Sequence, residues 1–359
     1  MSAVAALMML FSVIGALDRI LGNRFGLGKE FERGFMLMGD LALSMIGMII
    51  ISPLLAQILA PALNRLYDAL RIDPSAITSM LFANDLGGAA LAKEVARDPQ
   101  LGRFNGMVVA PMMGCTISFT IAFALNAVKP HQHKPLLLGL LCGIVTIPPG
   151  CLLGGLILRI PLIQLLYNLL PLFFFSLMVA IGLLLLPELS TRIFHAVGTG
   201  IKILITIGLI LGIVRSLSGY ELIPGLNRLE DAGLICLNAA IVMTGAFPLL
   251  HILSRLLGKL LKRLGRSIGI DENASLGFVA CLANSISVFG MMEKMDEKGV
   301  MLNAAFSVSA AFVFGDHLAF TLAYDPDCMA GVIIGKLTAG LLSLMAANFM
   351  YNRLTKSKC

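Results

Sequence analysis

Long stretches without a charged residue are the feature that most constrains the fold of this chain. Several of them exceed the roughly 20 residues that a helix needs to cross a hydrocarbon core of about 30 Å. Only 13% of the 359 residues are charged and 58% are hydrophobic, whereas a soluble domain carries about 25% charged residues. A soluble exterior could not cover this much apolar surface, so the sequence predicts an all-α protein that crosses a lipid bilayer many times.

The apolar stretches divide the chain into nine predicted full spans and two shorter segments. The nine spans cover residues 1–17, 34–61, 104–128, 135–158, 162–187, 193–214, 233–253, 300–323 and 329–350. The shorter segments, 76–92 and 274–292, are polar in the middle and rich in glycine, which indicates re-entrant hairpins or broken helices. No basic region precedes the first stretch, so we expect a first span there and not a cleaved signal peptide.

Lys and Arg are distributed unevenly between the two sets of loops that this division creates. One set holds 17 of them: 18–33, 129–134, 187–192, 254–271, 293–299 and the tail 351–359. The opposite set holds 8: 62–75, 93–103, 159–161, 215–232 and 324–328. Basic loops tend to remain in the cytoplasm. The bias therefore predicts an N-terminus outside and a cytoplasmic tail.

Similar short motifs recur in the same order in both halves of the chain, at offsets between 192 and 201 residues. The pairs are Pro53-Leu-Leu55 with Pro248-Leu-Leu250, Met80 to Asn84 with Ala280 to Asn284, Phe119-Thr-Ile-Ala122 with Phe320-Thr-Leu-Ala323, and Gly139 to Thr146 with Gly331 to Thr338. We interpret 1–158 and 193–350 as repeats that the single span in 159–192 inverts. Inverted repeats with paired broken elements are typical of secondary transporters, although a duplication in another kind of membrane protein stays open.

Polar residues within the apolar stretches are the candidate binding residues, because a bilayer makes unpaired polar groups costly. They are Asn84, Asp85, Gly87, Gly88, Asn284, Ser285, Gly315, Asp316 and His317. Glycine permits an unwound backbone, an Asn amide can orient a hydroxyl or an amine, and a buried carboxylate needs a cationic partner. Second-line candidates are Phe119, Thr146, Phe289, Phe320 and Lys336.

Each central acid also has a possible partner within the chain. Asp316 could pair with a carried ammonium group, or internally with His317 or Lys336. Asp85 raises the same choice, with Lys93 as its internal candidate.

Motifs for enzymatic chemistry are missing from the sequence. It contains no His-Glu-x-x-His, no Gly-x-Ser-x-Gly elbow and no Walker lysine loop. The seven cysteines form no Cys-x-x-Cys pair. We therefore expect no catalysis, no metal, no cofactor and no ATP hydrolysis, and we attribute the net charge of +6 to cytoplasmic loops and not to nucleic-acid binding.

Six motifs that follow one another along nearly the whole chain resemble the ethanolamine utilisation permease family. They are Gly34-Phe-Met-x-Met-Gly39, Asp85-x-Gly-Gly88 with Ala92-Lys-Glu94, Gly143-Ile-Val-Thr-Ile-Pro148, Glu221-Leu-Ile-Pro-Gly-Leu226, Phe289-Gly-Met-Met-x-Lys294-Met-Asp296 and Val308-Ser-Ala-Ala-Phe312-x-x-Gly-Asp-His-Leu318. The resemblance implies uptake of ethanolamine across a bacterial inner membrane. Asp40, an acid in span 34–61, is not part of the family's pattern, which weakens a role for it in the site.

The chemistry of ethanolamine fits such a carrier. A primary amine titrates near 10.4, so roughly one molecule in 10³ is neutral at pH 7. A buried anion would bind the cation. Asp316 and His317 could relay a coupling proton or merely pack, so facilitated and ion-coupled transport both stay open. A channel, a carrier of another small cation or polar metabolite, and an intramembrane enzyme are the alternatives, and the sequence does not indicate an oligomeric state.

Overall fold

The computed structural model describes residues 3–356, apart from the side chains of residues 257–262, 264 and 356. This part of the chain is 87% helical and contains no strand. Its main helices are α1 (Ala3–Ile20), α2 (Leu27–Met36), α3 (Met38–Leu70), α4 (Pro74–Leu81), α5 (Ala89–Val95), α6 (Pro99–Ala127), α7 (Pro130–Ile157), α8 (Leu162–Leu185), α9 (Pro187–Ser218), α10 (Leu229–Ile268), α11 (Glu272–Ala283), α12 (Ser285–Met291), α13 (Glu297–Ala310), α14 (Asp316–Tyr324) and α15 (Met329–Lys356). Residues 1–2 of the predicted first span and 357–359 of the predicted tail lie outside the described residues.

Eight of the described helical segments are long and apolar enough to cross a membrane. They are α1, α2 together with α3, α6, α7, α8, α9, α10 and α15, and each coincides with one of the nine predicted spans. Large apolar side chains face outward on these helices; on α8, for example, Ile163 is 73% exposed and Phe174 is 63% exposed. Lipid is the environment in which such a surface is stable, so the protein is a multi-pass membrane protein.

The remaining predicted span, 300–323, differs from the prediction because it is not one helix. It consists of α13 and α14, separated by a break at residues 311–315. Phe312 has a φ of 61° there. The N–H groups of Phe312 and Phe314 donate to the carbonyls of Cys281 and Leu282, at 3.1 and 2.9 Å. At this break, hydrogen bonds to another segment replace the hydrogen bonds of a continuous helix. The apolar composition of 300–323 alone does not predict where the helix is interrupted.

The first short segment begins and ends at the same face of the protein. Asp73 precedes α4, and one of its carboxylate oxygens accepts a hydrogen bond from the N–H of Ser75 at 2.9 Å. Its other oxygen accepts from the N–H groups of Arg97 and Asp98, both at 3.0 Å, beyond the end of α5. One side chain therefore ties the two ends together, and α4 and α5 form a re-entrant hairpin.

The second short segment is closed in the same way, 198 residues later. Asp271 precedes α11 and accepts a hydrogen bond from the N–H of Ala274 at 2.8 Å. Its other oxygen accepts from the N–H of Asp296 at 2.5 Å, beyond the end of α12. Asp271 and Asp296 stand in the places of Asp73 and Asp98, so α11 and α12 also form a re-entrant hairpin.

We expect Asp73→Ala to destabilise the protein, because three backbone N–H groups lose their acceptor when this buried carboxylate is removed. Leaving buried donors unpaired costs about 1–3 kcal/mol. Thermal unfolding of the purified protein in detergent should show a melting temperature several degrees below that of the wild type. Asp68→Ala, at an exposed position near the end of α3, is the matched control and should melt like the wild type. An unchanged melting temperature for Asp73→Ala would contradict the closing role of this residue.

Contacts between loops separate two faces of the protein. On one face, Lys129 forms an ion pair with Glu293. On the other, Arg103 donates two hydrogen bonds to the carboxylate of Asp325, at 2.6 and 2.7 Å. Each pair joins two loops that the count of basic residues assigns to the same side of the membrane. These two contacts agree with the assignment of those four loops.

Candidate functional site

Three interruptions of the helical backbone lie together in the interior: between α4 and α5, between α11 and α12, and between α13 and α14. Two glycines allow this close packing. A Cβ atom at Gly114 of α6 would lie 2.1 Å from the carbonyl oxygen of Phe82, and a Cβ atom at Gly315 would lie 2.1 Å from that of Ala283. Any larger residue would push the first break away from α6 or the second break away from α14.

The first break, Asn84–Gly88, owes its shape to the two glycines that the sequence placed in the candidate site. Gly87 has a φ of 81°, and a Cβ atom there would lie 2.0 Å from Cγ of Met48 in α3. A Cβ atom at Gly88 would lie 2.4 Å from the carbonyl oxygen of Phe82. The contacts of these two glycines let α3 and the two halves of the hairpin approach one another closely.

A cavity of about 370 Å³ lies where α3 meets the first and third breaks. Three carboxylates line it, those of Asp40, Asp85 and Asp316, together with His317 and Asn284. The remaining lining residues are mostly apolar: Leu37, Leu41, Ser44, Ala83, Leu86, Cys115, Phe119, Ile286 and Phe312. No described Lys or Arg lines it. Its volume is within the roughly 300–1,000 Å³ usual for small-molecule sites.

The acids of this cavity have few partners within the described part of the chain. The closest approach is between Oδ1 of Asp85 and Nε2 of His317, at 3.8 Å, and this oxygen accepts no hydrogen bond. Neither His317 nor Lys336 forms an ion pair with Asp316. Lys93 is exposed and lines a different cavity. The internal pairs that the sequence left open, Asp316 with His317 or Lys336 and Asp85 with Lys93, are therefore not formed.

Several candidate side chains beside the cavity are buried but lack hydrogen-bond partners. Asn84 and Ser285 are 0% exposed, and the amide nitrogen and oxygen of Asn84, Oγ of Ser285 and Nδ1 of His317 are all unpaired. Asn284 is different, because its Oδ1 accepts from the N–H of Ile286 at 2.7 Å and caps α12. Unpaired buried polar groups are rare in native structures, and their concentration here makes this region the candidate site.

Of the five second-line candidates, one lines the cavity and four pack elsewhere in the protein. Phe119 lines the cavity. The hydroxyl of Thr146 donates to carbonyls of its own helix, and the rings of Phe289 and Phe320 are buried elsewhere in the core. Lys336 is buried, and its Nζ donates to a main-chain carbonyl of α6. None of these last four residues lines the cavity.

Nine of the residues that line the cavity were not among the predicted candidates: Leu37, Asp40, Leu41, Ser44, Ala83, Leu86, Cys115, Ile286 and Phe312. Asp40 was considered, since an acid within a predicted span is a candidate on cost alone, but it was set aside because it is not part of the family's pattern. No comparable signal existed for Ser44 or Cys115. Phe312 reaches the cavity only because the backbone is broken at its own position.

Comparisons with known proteins identify the family of this chain. The family described as "Ethanolamine utilisation protein, EutH" matches residues 2–350. A Listeria monocytogenes protein named "Probable ethanolamine permease EutH" is 43% identical, over 98% of this chain and 94% of its own length. A Salmonella typhimurium protein of the same name is 38% identical, over 95% and 93%, and the Bacillus subtilis protein YxeR, described as uncharacterized, is 38% identical over 97% and 94%. No solved structure matches the chain. The resemblance seen in the sequence motifs is confirmed, and the chain belongs to the EutH family of ethanolamine utilisation proteins.

Proposed function

We propose that this protein carries ethanolamine, as its cation, across the bacterial inner membrane, by facilitated or ion-coupled transport without ATP hydrolysis. The observation that carries this proposal is a cavity lined by three carboxylates and by no described Lys or Arg. At neutral pH only roughly one ethanolamine molecule in 10³ is uncharged. A desolvated ammonium group needs an anionic partner. We choose ethanolamine as the cation because the relatives are named probable ethanolamine permeases.

In this proposal the ammonium group binds between Asp316 and Asp85, and the amide of Asn284 orients the hydroxyl. A hydrogen bond between two charged groups is roughly twice as strong as a neutral one, which places most of the affinity on the acids. The rings of Phe119 and Phe312 supply apolar walls and a π face for the cation. His317 lines the same cavity, and Asn84, Gly87, Gly88, Ser285 and Gly315 shape and support the site from behind.

We also propose that the chain consists of two inverted repeats, 1–158 and 193–350, joined by the span in 159–192. Two repeated arrangements support this. The hairpin closures by Asp73 and Asp271 are 198 residues apart, and the glycine contacts at Gly114 and Gly315 are 201 residues apart. Transporters built this way bind substrate near the midplane between the repeats and expose it alternately to the two sides. Alternating access of this kind requires an interrupted helix from each repeat near the centre of the membrane.

Uptake into proteoliposomes tests the transport function. Purified protein in sealed vesicles should take up ethanolamine saturably, and unlabelled ethanolamine should compete more strongly than choline or ammonium. Chemical analysis of the lumen should find ethanolamine unchanged. Uptake that does not saturate would indicate a channel, a modified product would indicate an enzyme, and no uptake above empty vesicles would refute the proposal.

The orientation of the tail gives a separate prediction. We expect the C-terminus, at Cys359, to lie in the cytoplasm, because 17 Lys and Arg lie in the loops on its side and 8 in the opposite loops. A reporter that is active only in the cytoplasm, fused after Cys359, should be active. A silent cytoplasmic reporter together with an active periplasmic one would show that the topology is inverted.

Asn284→Asp should lower the affinity for ethanolamine relative to the affinity for ethylamine, which has no hydroxyl. The Asp side chain keeps the oxygen that caps α12 but lacks the amide donor, and a neutral hydrogen bond is worth about 0.5–1.5 kcal/mol. Competition by each amine in the uptake assay measures the difference. Asn284→Ala loses both the amide donor and the oxygen that caps α12. A comparison of the two variants separates the effect of the lost donor from that of a less stable helix. Equal losses for the two amines would remove Asn284 from hydroxyl recognition.

A further inference from the structure

A second cavity, of about 530 Å³, is lined by three of the elements that line the cavity of the carboxylates. α14 begins with Asp316 and His317 at the cavity of the carboxylates and ends with Ala323 and Tyr324 at the second cavity. The first hairpin and α6 also line both cavities. The nine residues of α14 span about 13 Å. The two cavities therefore lie at the two ends of one short helix.

The two cavities lie toward opposite faces of the protein. The second cavity includes residues of the loops 93–103 and 324–328, which the count of basic residues assigns to the outer side. The cavity of the carboxylates is lined by the N-terminal part of α3 and by the second hairpin. These elements adjoin the loops 18–33 and 293–299 of the opposite set, and Asp40 is exposed at that end. The cavity of the carboxylates is therefore open toward one face and the second cavity toward the other.

Phe320 lies on α14 between the two cavities and lines neither of them. Residues four apart lie above one another on a helix, so Asp316, Phe320 and Tyr324 follow one another along one face of α14. The ring of Phe320 is 1% exposed. It stacks on the ring of Tyr324, with 5.0 Å between the centroids and an interplanar angle of 15°. A buried, stacked pair of rings therefore separates the second cavity from the acids.

We propose that the second cavity is the entrance to the binding site from the other side of the membrane, and that the stacked rings of Phe320 and Tyr324 close it in this structure. This inference rests on the proposed function, because it requires a substrate that crosses the membrane. When the ring of Phe320 moves off the ring of Tyr324, the second cavity joins the cavity of the carboxylates. The substrate then reaches Asp316 from the opposite face.

The charges of the second cavity suit passage and not tight binding of a cation. Its one lining carboxylate, Asp325, accepts two hydrogen bonds from Arg103, at 2.6 and 2.7 Å. Lys93 also lines it and pairs with no described residue. The other lining side chains are small or apolar, apart from Tyr324. A desolvated ammonium group needs an anionic partner, so the affinity for ethanolamine remains with the three acids of the first cavity.

Modification of thiols from one side of the membrane tests this proposal. Ala323→Cys places a thiol in the second cavity, and Ser44→Cys places one in the cavity of the carboxylates. Right-side-out and inside-out vesicles are treated with the membrane-impermeant reagent trimethylammonioethyl methanethiosulfonate and compared with wild-type vesicles treated in the same way. We expect each variant to lose most of its ethanolamine uptake when the reagent is on one side only, and the two sides to be opposite. Asp327→Cys, at a position that is 91% exposed, is the matched control and should keep its uptake.

The result does not depend on which face is cytoplasmic. Block of Ala323→Cys and Ser44→Cys from the same side would overturn the inference, and so would an Ala323→Cys variant that stays active after treatment from either side. Wild-type vesicles that take up no ethanolamine would refute the proposed function instead.

A second substitution tests the barrier itself. Phe320→Ala removes the stacked ring, so Ser44→Cys combined with Phe320→Ala should be blocked from both sides. Tyr324→Phe keeps both rings and is the control, since Ser44→Cys should then be blocked from one side only. Size-exclusion chromatography checks that each variant is folded. Protection of Ser44→Cys from the second side in a folded Phe320→Ala variant would show that Phe320 does not close the path. The block of Ala323→Cys tests the entrance even if Phe320→Ala fails to fold.

Discussion

Asp316→Asn is expected to abolish saturable uptake of ethanolamine while the protein still inserts and remains folded. Asp316 begins α14 and lines the cavity, and its carboxylate pairs with no described residue. The substitution therefore breaks no internal ion pair, and Asn has nearly the same size. What disappears is the charge that meets the ammonium group. A hydrogen bond to a charged group is worth about 1.5–3 kcal/mol, which corresponds to roughly 10- to 150-fold in affinity.

Initial uptake rates in proteoliposomes over a range of ethanolamine concentrations measure this effect, and size-exclusion chromatography in detergent checks the fold. Asp327→Asn is the matched control, because it removes an acid that is 91% exposed at the loop beyond the same helix. Unchanged values of KM and maximal rate for Asp316→Asn would make this acid structural. Asp85→Asn and Asp40→Asn would then show which of the remaining carboxylates binds the cation.

Gly315→Ala is expected to have the largest effect on the fold. The added methyl group would lie 2.1 Å from the carbonyl oxygen of Ala283, and real carbon–oxygen contacts are longer by more than an ångström. The break between α13 and α14 would have to move away from the second hairpin. That movement would weaken the hydrogen bonds from Phe312 and Phe314 to Cys281 and Leu282. Overpacking of a tight core costs about 1–3 kcal/mol, and a clash with backbone offers no side chain that can yield.

The melting temperature and the yield of monodisperse protein in detergent measure this cost, and both should fall. Gly290→Ala is a closely matched control, since Gly290 lies on α12 in the same region and a Cβ atom there meets nothing within 4 Å. It should match the wild type in stability. A Gly315→Ala variant as stable as Gly290→Ala would show that the two breaks do not depend on this contact.

Much of the fold could be predicted because a bilayer imposes simple rules on composition. Eight predicted spans coincide with long helices, and the family follows from motifs that need no structure. The two short segments were predictable because glycines and Asn84 or Asn284 interrupt otherwise apolar runs. The break within 300–323 was not, because its hydrogen-bond acceptors, Cys281 and Leu282, belong to a different segment of the chain.

The candidate site shows the same division. Asp85, Asn284, Asp316 and His317 were predictable as polar residues in apolar surroundings, and all of them line one cavity. Asp40 lines the same cavity, although the sequence analysis set it aside because it is not part of the family's pattern.

The sequence by itself therefore determined the membrane class, the positions of most spans and the family. It also determined which polar residues lie within apolar stretches, where a bilayer makes unpaired polar groups costly. These properties depend on composition and on local order along the chain. The tertiary structure alone decided which acids share a cavity, that each hairpin is closed by one Asp, and that Lys336 is buried against the carbonyl of Pro111. The residues involved are far apart in sequence. They come close together in space because glycines let the broken backbone segments pack tightly against neighbouring helices.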